Sequence, residues 1–466
     1  MSAETVDAVA AHARAAFSDT VATLSDYLSY PAISCEAEHA SDVVRLAERI
    51  AEDLTALGCE PVRVLSLDGA LPCVAADLCR VPGAPTLLIY GHLDLQPVAG
   101  EPWNTDPHVA TVIGDRLFAR GAADDIGGWV SHLAAIKSWK AIAGELPCNI
   151  KLVIEGEEEI GSPNLERYMD AFPEVFEADA MVLTDCENPS TEIPGLTVSL
   201  RGLLEFDLTV EAIGSDVHSG LWGNMVPDVS VALMKLIARV TDDDGRLDML
   251  RVDVPEDWRA DAYNVPLDTE VVRSAANLVD GVDPLPERGR PPAEWVWRQP
   301  ALTVLSTTLP GPDRRKNALR TKATATLSVR VAPGQTHEVV HKALAEALLR
   351  DPPGGVKVSL DMHEGGADSW LYTPSGPAFP AADRAYQKAW GRPMLQVGVG
   401  GSIPFVALFG RRFSSLPLIL NGVMDPETGA HGPNESLHLG VFEKAIVANV
   451  YLYDELARAL AKDSTA

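Results

Sequence analysis

The residues of this chain best suited to chemistry lie in short clusters far apart in sequence. His92 and Asp94 stand two apart in Thr86–Pro97, TLLIYGHLDLQP, and Asp124 and Asp125 are adjacent in ARGAADDIGG, residues 119–128. Glu155 and Glu157 to Glu159 fall in EGEEEIGS, and Asp185 and Glu187 in TDCE. Imidazole and carboxylate groups together are a donor set for divalent metals. Carboxylates this dense repel one another unless a cation compensates them. Asp124 and Asp125, between small residues at the start of an apolar periodic stretch, serve either as a helix cap favoured by the dipole or as a metal-bridging pair. A metal-bound imidazole usually passes its other ring N–H to a carboxylate, and His92 with Asp94 behind it fits that arrangement.

These clusters need a scaffold that brings them to one place. Thr86–Tyr90 is a short, continuous apolar run between Pro82-Gly83-Ala84-Pro85 and Gly91, which predicts the central strand of a parallel sheet. His92 and Asp94 then leave its carboxyl end on the same side, at the sheet edge where open α/β folds bind ligands. Asn149–Ile154 and Ala180–Leu183 repeat the pattern and run directly into acids. Amphipathic spacing predicts helices over 5–18 and 42–57, and residues 119–128 open a further helix running through Trp129, Leu133, Ile136 and Trp139. From about Leu196 the texture changes. Val198–Ala212 and Ala323–Val331 alternate as half-buried antiparallel strands do, with helices over 229–240 and 337–349. Residues 241–300, rich in Asp, Pro, Arg and Trp, read as irregular or inserted. A helix over 378–390, a strand over 395–399, a helix over 403–409 and a strand over 417–421 resume the α/β pattern, and a last helix follows the loop GAHGPNESL. The fold class is therefore α/β: residues 1–196 and 372–466 form one domain, and 197–371 an α+β domain inserted into it.

Composition narrows the partners. The 466 residues carry 38 Lys+Arg against 66 Asp+Glu, a net charge of -28, which argues against nucleic acid and anionic membranes. No apolar run approaches a membrane span, and Met1-Ser2-Ala3-Glu4 does not open a signal peptide. Six cysteines without a C-x-x-C pair suit buried thiols in a reducing cytoplasm.

Taken in order, GHLDLQP, ARGAADDIGG, EGEEEIGS, TDCE and AHGPNES, with DVHSGLWG (residues 216–223) in the inserted domain, resemble the aminoacylase–carboxypeptidase–carnosinase superfamily of dinuclear zinc metallopeptidases, and most closely its carnosinase-like dipeptidases. The resemblance spans the whole chain. It implies a zinc-aminopeptidase-like catalytic domain and a ferredoxin-like lid that dimerises. It also implies two Zn²⁺ per subunit, with Mn²⁺ or Co²⁺ as other occupants. One ion would be held by His92, Asp124 and Asp185, the other by Asp124, Glu159 and His431, with Asp124 shared. Glu158 would be the general base for a shared water, Asp94 the support of His92, and His218 an oxyanion donor reaching over from the partner's lid. Arg330 would bind the substrate carboxylate, with Ser402 in the glycine-rich loop and His363 as further substrate contacts. The Asp124–Asp125 peptide is expected to be cis.

The chain departs from the family in places. Ala119 stands for a glycine, Ile126 for a lysine, and Glu157 for an apolar residue. Gly398 and Val399 replace the Arg-Glu that usually opens the glycine-rich loop. The expected activity is hydrolysis of an amide bond in a dipeptide or small amino-acid derivative. The alternatives are an N-acyl-amino-acid deacylase or related amidohydrolase, and a metal-binding dimer without catalysis.

Overall fold

The computed structural model describes residues 1–363, 366–401, 404–413 and 416–461. The chain divides into two compact units: residues 1–197, 373–396 and from 408 on form the first, and 198–372 with 397–407 the second. The short stretch 397–407 thus groups with the second unit. The local reason is backbone pairing, since the Arg201 N–H donates to the Val399 carbonyl.

The first unit is built on a six-stranded sheet. Its order is Val62–Leu65, Cys73–Leu78, Asn149–Glu155, Thr86–His92, Ala180–Leu183, Leu418–Leu420. The last four strands are mutually parallel and the first two antiparallel. Thr86–His92 lies inside the parallel part, in register with Asn149–Glu155 so that His92 faces Glu155. Leu87 to Tyr90, Ile150, Leu152 to Ile154 and Ala180 to Leu183 are all buried, as expected of strands covered on both faces.

The helix Ile126–Ala143 packs on the central strand and against Ala3–Ala15, Phe17–Leu28 and Leu439–Ala459. Burial of Trp129, Leu133, Ile136 and Trp139 explains why it is apolar nearly all round rather than striped. The single helix expected over 5–18 is two helices meeting at Ala16, which leaves the helical region at φ -89°, ψ 9°. Among the described residues no helix is long and apolar enough to cross a membrane.

The second unit carries an antiparallel sheet in the order Ala301–Thr307, Lys322–Val331, Gly202–Glu211, Lys357–Met362. Helices Val229–Val240 and His337–Leu349 cover one face. Leu204, Phe206, Leu208 and Val210 of one strand and Ala323, Ala325, Leu327, Val329 and Val331 of the next form the core with Leu233, Leu236, Val340 and Leu344. This is the β-α-β-β-α-β order of a ferredoxin-like unit. Residues 241–300 interrupt it with the short helices Glu256–Ala262, Thr269–Ala275 and Pro292–Trp297.

Candidate metal centre

Parallel strands deliver the first donors. His92 ends its strand fully buried, and its Nε2 lies 3.1 Å from Asp124 Oδ1 and 4.0 Å from Asp185 Oδ2. Its Nδ1 is 3.0 Å from the Asp94 main-chain oxygen and 3.5 Å from the Asp94 carboxylate. The Asp94 carboxylate has closer business elsewhere. Oδ1 accepts from the Glu158 N–H and Oδ2 from the Glu159 N–H, both at 3.1 Å. Asp94 therefore orients the acidic turn as well as the imidazole ring.

Asp124 precedes the buried helix, and its peptide bond to Asp125 is cis, as expected from the resemblance. Asp125 is completely buried. It accepts from the His92 N–H at 3.3 Å and the Thr184 hydroxyl at 2.7 Å. Its carboxylate fits because two neighbours lack side chains. A Cβ on Gly91 would come within 2.4 Å of Oδ2, and one on Gly128 within 2.0 Å of Oδ1.

The C-terminal loop supplies the remaining imidazole. His431 has φ +62°, and its Nε2 lies 3.1 Å from Asp124 Oδ2 and 3.2 Å from Glu159 Oε2. Four residues on, fully buried Glu435 accepts from the backbone N–H groups of Gly121, Ala123 and Asp124 and from Arg120. The sequence singles out Asp125 only as half of an acidic pair with Asp124, and does not single out Glu435. Each works by accepting backbone N–H groups that only the fold brings near, although both sit inside the motifs that identify the centre.

The candidate ligands fall into two groups, His92 with Asp124 and Asp185, and Asp124 with Glu159 and His431. Within each group the donor atoms lie within 4.8 Å of one another. Asp124 belongs to both. The electrostatics show what the cluster lacks. Burial and the neighbouring acids push Asp185 up to about 7 and raise Glu158 and Glu159. Hydrogen bonds from His431 and His92 outweigh burial at Asp124 and hold it below the usual carboxylate range. Hydrogen bonds to Asp124 and Glu159 raise His431 to about 11. The two imidazoles thus supply compensating charge to an excess of buried acids. A pair of divalent cations fits this donor set and that excess, and would leave both imidazoles neutral as ligands.

Glu158 belongs to neither ligand group and has no side-chain hydrogen bond among the described residues. Glu157, by contrast, is tied down. Its carboxylate accepts from the Leu71 N–H and from Asn164.

The other sequence candidates lie in the second unit. Nδ1 of exposed His218 accepts from the Gly220 N–H at 3.0 Å, which leaves the ring proton on Nε2 in the neutral form. Arg330 lies in the Lys322–Val331 strand opposite Leu203. His363 is paired with Asp207, Nε2 to Oδ1 at 3.2 Å. Ser402 lies outside the described residues.

Comparison with known proteins agrees with this architecture. The model for peptidase family M20/M25/M40 matches residues 88–458. A cysteinylglycine-S-conjugate dipeptidase of Corynebacterium striatum is 32% identical over 428 residues, 91% of this chain and 92% of the relative. Among solved structures, an M20 family metallo-carboxypeptidase from Sulfolobus solfataricus shares 25% identity at a TM-score of 0.74, covering 94% of this chain and 99% of the other. Human carnosine dipeptidase 1, at 23% identity, shares the fold with a TM-score of 0.76 over 97% of this chain and 99% of the other. With the family model spanning most of its length and a relative above 30% identity along nearly all of it, the chain belongs to peptidase family M20/M25/M40.

Proposed function

We propose that this chain is a dinuclear metallodipeptidase that hydrolyses the amide bond of a dipeptide or small amino-acid derivative. The observation that carries the reading is the pair of ligand groups joined at buried Asp124, with Glu158 left over beside them. His92, Asp124 and Asp185 would hold one ion, and Asp124, Glu159 and His431 the other. The imidazole–carboxylate mixture suits zinc and also admits manganese or cobalt. Bound there, the ions would polarise the scissile carbonyl and acidify a water molecule.

The chain's own groups do the rest. The Glu158 carboxylate accepts the proton of the attacking water and returns it to the leaving nitrogen. Asp94 keeps Glu158 in place through its main-chain N–H. His218, with its free Nε2–H, donates to the carbonyl oxygen as negative charge develops there, acting from the second unit of a partner in a homodimer. Arg330 pairs with the substrate's terminal carboxylate, for which a guanidinium gives bidentate geometry. The second unit would thus serve as lid and dimerisation domain to the catalytic first. All six cysteines are free thiols, which suits a cytoplasmic enzyme.

A second substrate reading has a specific observation behind it. Val399 stands where carnosinase-like dipeptidases are expected to carry the acid that pairs with a free α-ammonium. This favours substrates whose nitrogen is acylated, as in an N-acyl-amino-acid deacylase. The test of the common chemistry is Glu158→Gln. Turnover of dipeptides and N-acyl amino acids should disappear while elemental analysis still finds two metal ions per chain. Full activity in that variant, or active wild type free of transition metal, would overturn the proposal.

A further inference from the structure

Among the described residues, two arginines of the second unit form no ion pair with an acid. Arg330 is opposite Leu203 on the adjacent strand, and Arg201 precedes Leu203 by two residues. The two positions are therefore diagonal neighbours on adjacent chain segments, a spacing of about 7–8 Å. Arg201 is half-buried beneath the glycine-rich loop. Its Nε donates to the Gly400 carbonyl at 2.9 Å and Nη1 to the Gln299 carbonyl at 3.4 Å. A Cβ on Gly400 would meet Nη2 at 3.0 Å. Nη2 has no partner among the described residues, and half-buried Arg330 makes neither hydrogen bond nor ion pair there.

Among the described residues, two acids near the arginines are engaged elsewhere. Asp207 accepts from Thr326 and pairs with His363, and Asp368 pairs with His337 at 2.5 Å. Glu205, beside Leu203 on the open face, forms no ion pair with either arginine among the described residues. The loop that could bring a carboxylate to Arg201 brings Val399, whose carbonyl accepts from the Arg201 N–H at 3.2 Å. Burial and the Arg330 charge together lower Arg201 to about 10, with no carboxylate among the described residues opposing them. Guanidinium groups withdrawn from water without counter-ions are costly, and two side by side repel one another. Natural sites with this composition receive their anions from the ligand.

We propose that Arg201 and Arg330 form a two-anion subsite, so that the favoured substrate carries a second carboxylate besides its terminal one and Arg201 is a specificity residue. This rests on the reading of the chain as a small-amide hydrolase. Arg330 takes the terminal carboxylate, and Arg201 takes an acid on either the amine part or the acyl part of the substrate.

Matched dipeptides separate the two placements: Gly-Glu against Gly-Gln for the amine part, and Glu-Gly against Gln-Gly for the acyl part. In zinc-loaded full-length protein, one acidic member should exceed its amide by about tenfold or more in kcat/KM. Arg201→Met should erase that ratio, mainly through KM, and Arg201→Lys should keep part of it. Because each ratio is internal to one protein sample, partial unfolding of a variant does not imitate the effect. Calorimetric titration with glutarate and with its monoamide gives a readout without turnover. Wild type should bind the dicarboxylate at least about tenfold more tightly, and Arg201→Met should bind both alike. Equal ratios in both dipeptide pairs, a preference that survives Arg201→Met, or equal binding of glutarate and its monoamide would overturn the subsite. Discrimination of glutarate without hydrolysis of any dipeptide would instead retain the subsite and remove the dipeptidase reading.

Discussion

Asp94 accepts one backbone N–H from Glu159 on one carboxylate oxygen and that of the preceding residue on the other. A residue that first reads as the partner of a metal-binding imidazole is therefore also the clamp on the turn that carries Glu159, the proposed ligand, and Glu158, the proposed general base. Asp94→Ala should lower metal affinity by about 10–100-fold, as loss of such outer partners typically does. It should lower kcat further, by about 10²–10⁴-fold, because Glu158 is no longer aimed. Asp94→Asn, which offers one acceptor oxygen in place of two, should fall between. Chelator competition and steady-state kinetics on the same samples check both effects.

His218 provides a test of action across subunits. His218→Ala and Glu158→Gln should each be nearly inactive as homodimers. Mixed and allowed to exchange, they should regain a substantial fraction of wild-type activity, because one of the two sites in the heterodimer then has both groups intact. Verified exchange without recovery would mean that His218 acts within its own chain or has no part in the reaction.

On the proposed reading, Val399 should set the preference for the nitrogen end of the substrate. A buried ammonium left without its acid typically costs about 2–5 kcal/mol. Wild type should therefore use a free dipeptide poorly relative to its N-acetylated analogue, and Val399→Glu should shift kcat/KM toward the free dipeptide. A strong wild-type preference for the free form, unchanged in the variant, would leave the protein among ordinary dipeptidases.

His132 should make the fold sensitive to acid. It is buried in the Ile126–Ala143 helix with Nδ1 2.9 Å from the Tyr453 hydroxyl, and burial lowers it to about 3. Its ordinary value is about 6.5. Between these values the unfolded chain binds a proton that the folded chain does not, so stability falls as pH decreases from about 6.5 toward 3. One such group contributes a slope of about 1.4 kcal/mol per pH unit. His132→Gln should remove that increment from the pH dependence of urea unfolding. Identical slopes in the two proteins across pH 6 to 4 would contradict the assignment.

Much of this arrangement is legible in the sequence because apolar strands that stop abruptly at His or acid have few other uses. Leu87 to Tyr90 and Ala180 to Leu183 show where the sheet edge lies, and His92 and Asp185 follow directly. His431 is legible only through the ordered resemblance, because nothing local to GAHGPNESL specifies a strand end. The bracing roles of Asp125 and Glu435 escape a linear reading for a physical reason. Apart from Arg120 at Glu435, their partners are main-chain N–H groups and a hydroxyl, which carry no residue-type signature. The break at Ala16 has no glycine or proline to announce it. Arg201 stands alone between two β-prone runs, and its meaning appears only once Val399, Gly400 and Arg330 surround it.

The two ligand groups are also unequal in the order in which they can be made. His92, Asp124 and Asp185 all belong to the first two-fifths of the chain, whereas His431 and the Glu435 that braces Asp124 arrive almost at its end. During synthesis, one half of the centre has its donors long before the other. Asp124, which belongs to both groups, must therefore wait, incompletely braced, until the last loop closes over it. Truncation before His431 would accordingly spare most of the sheet and one ligand group, yet break the group that would hold the second ion of the proposed centre.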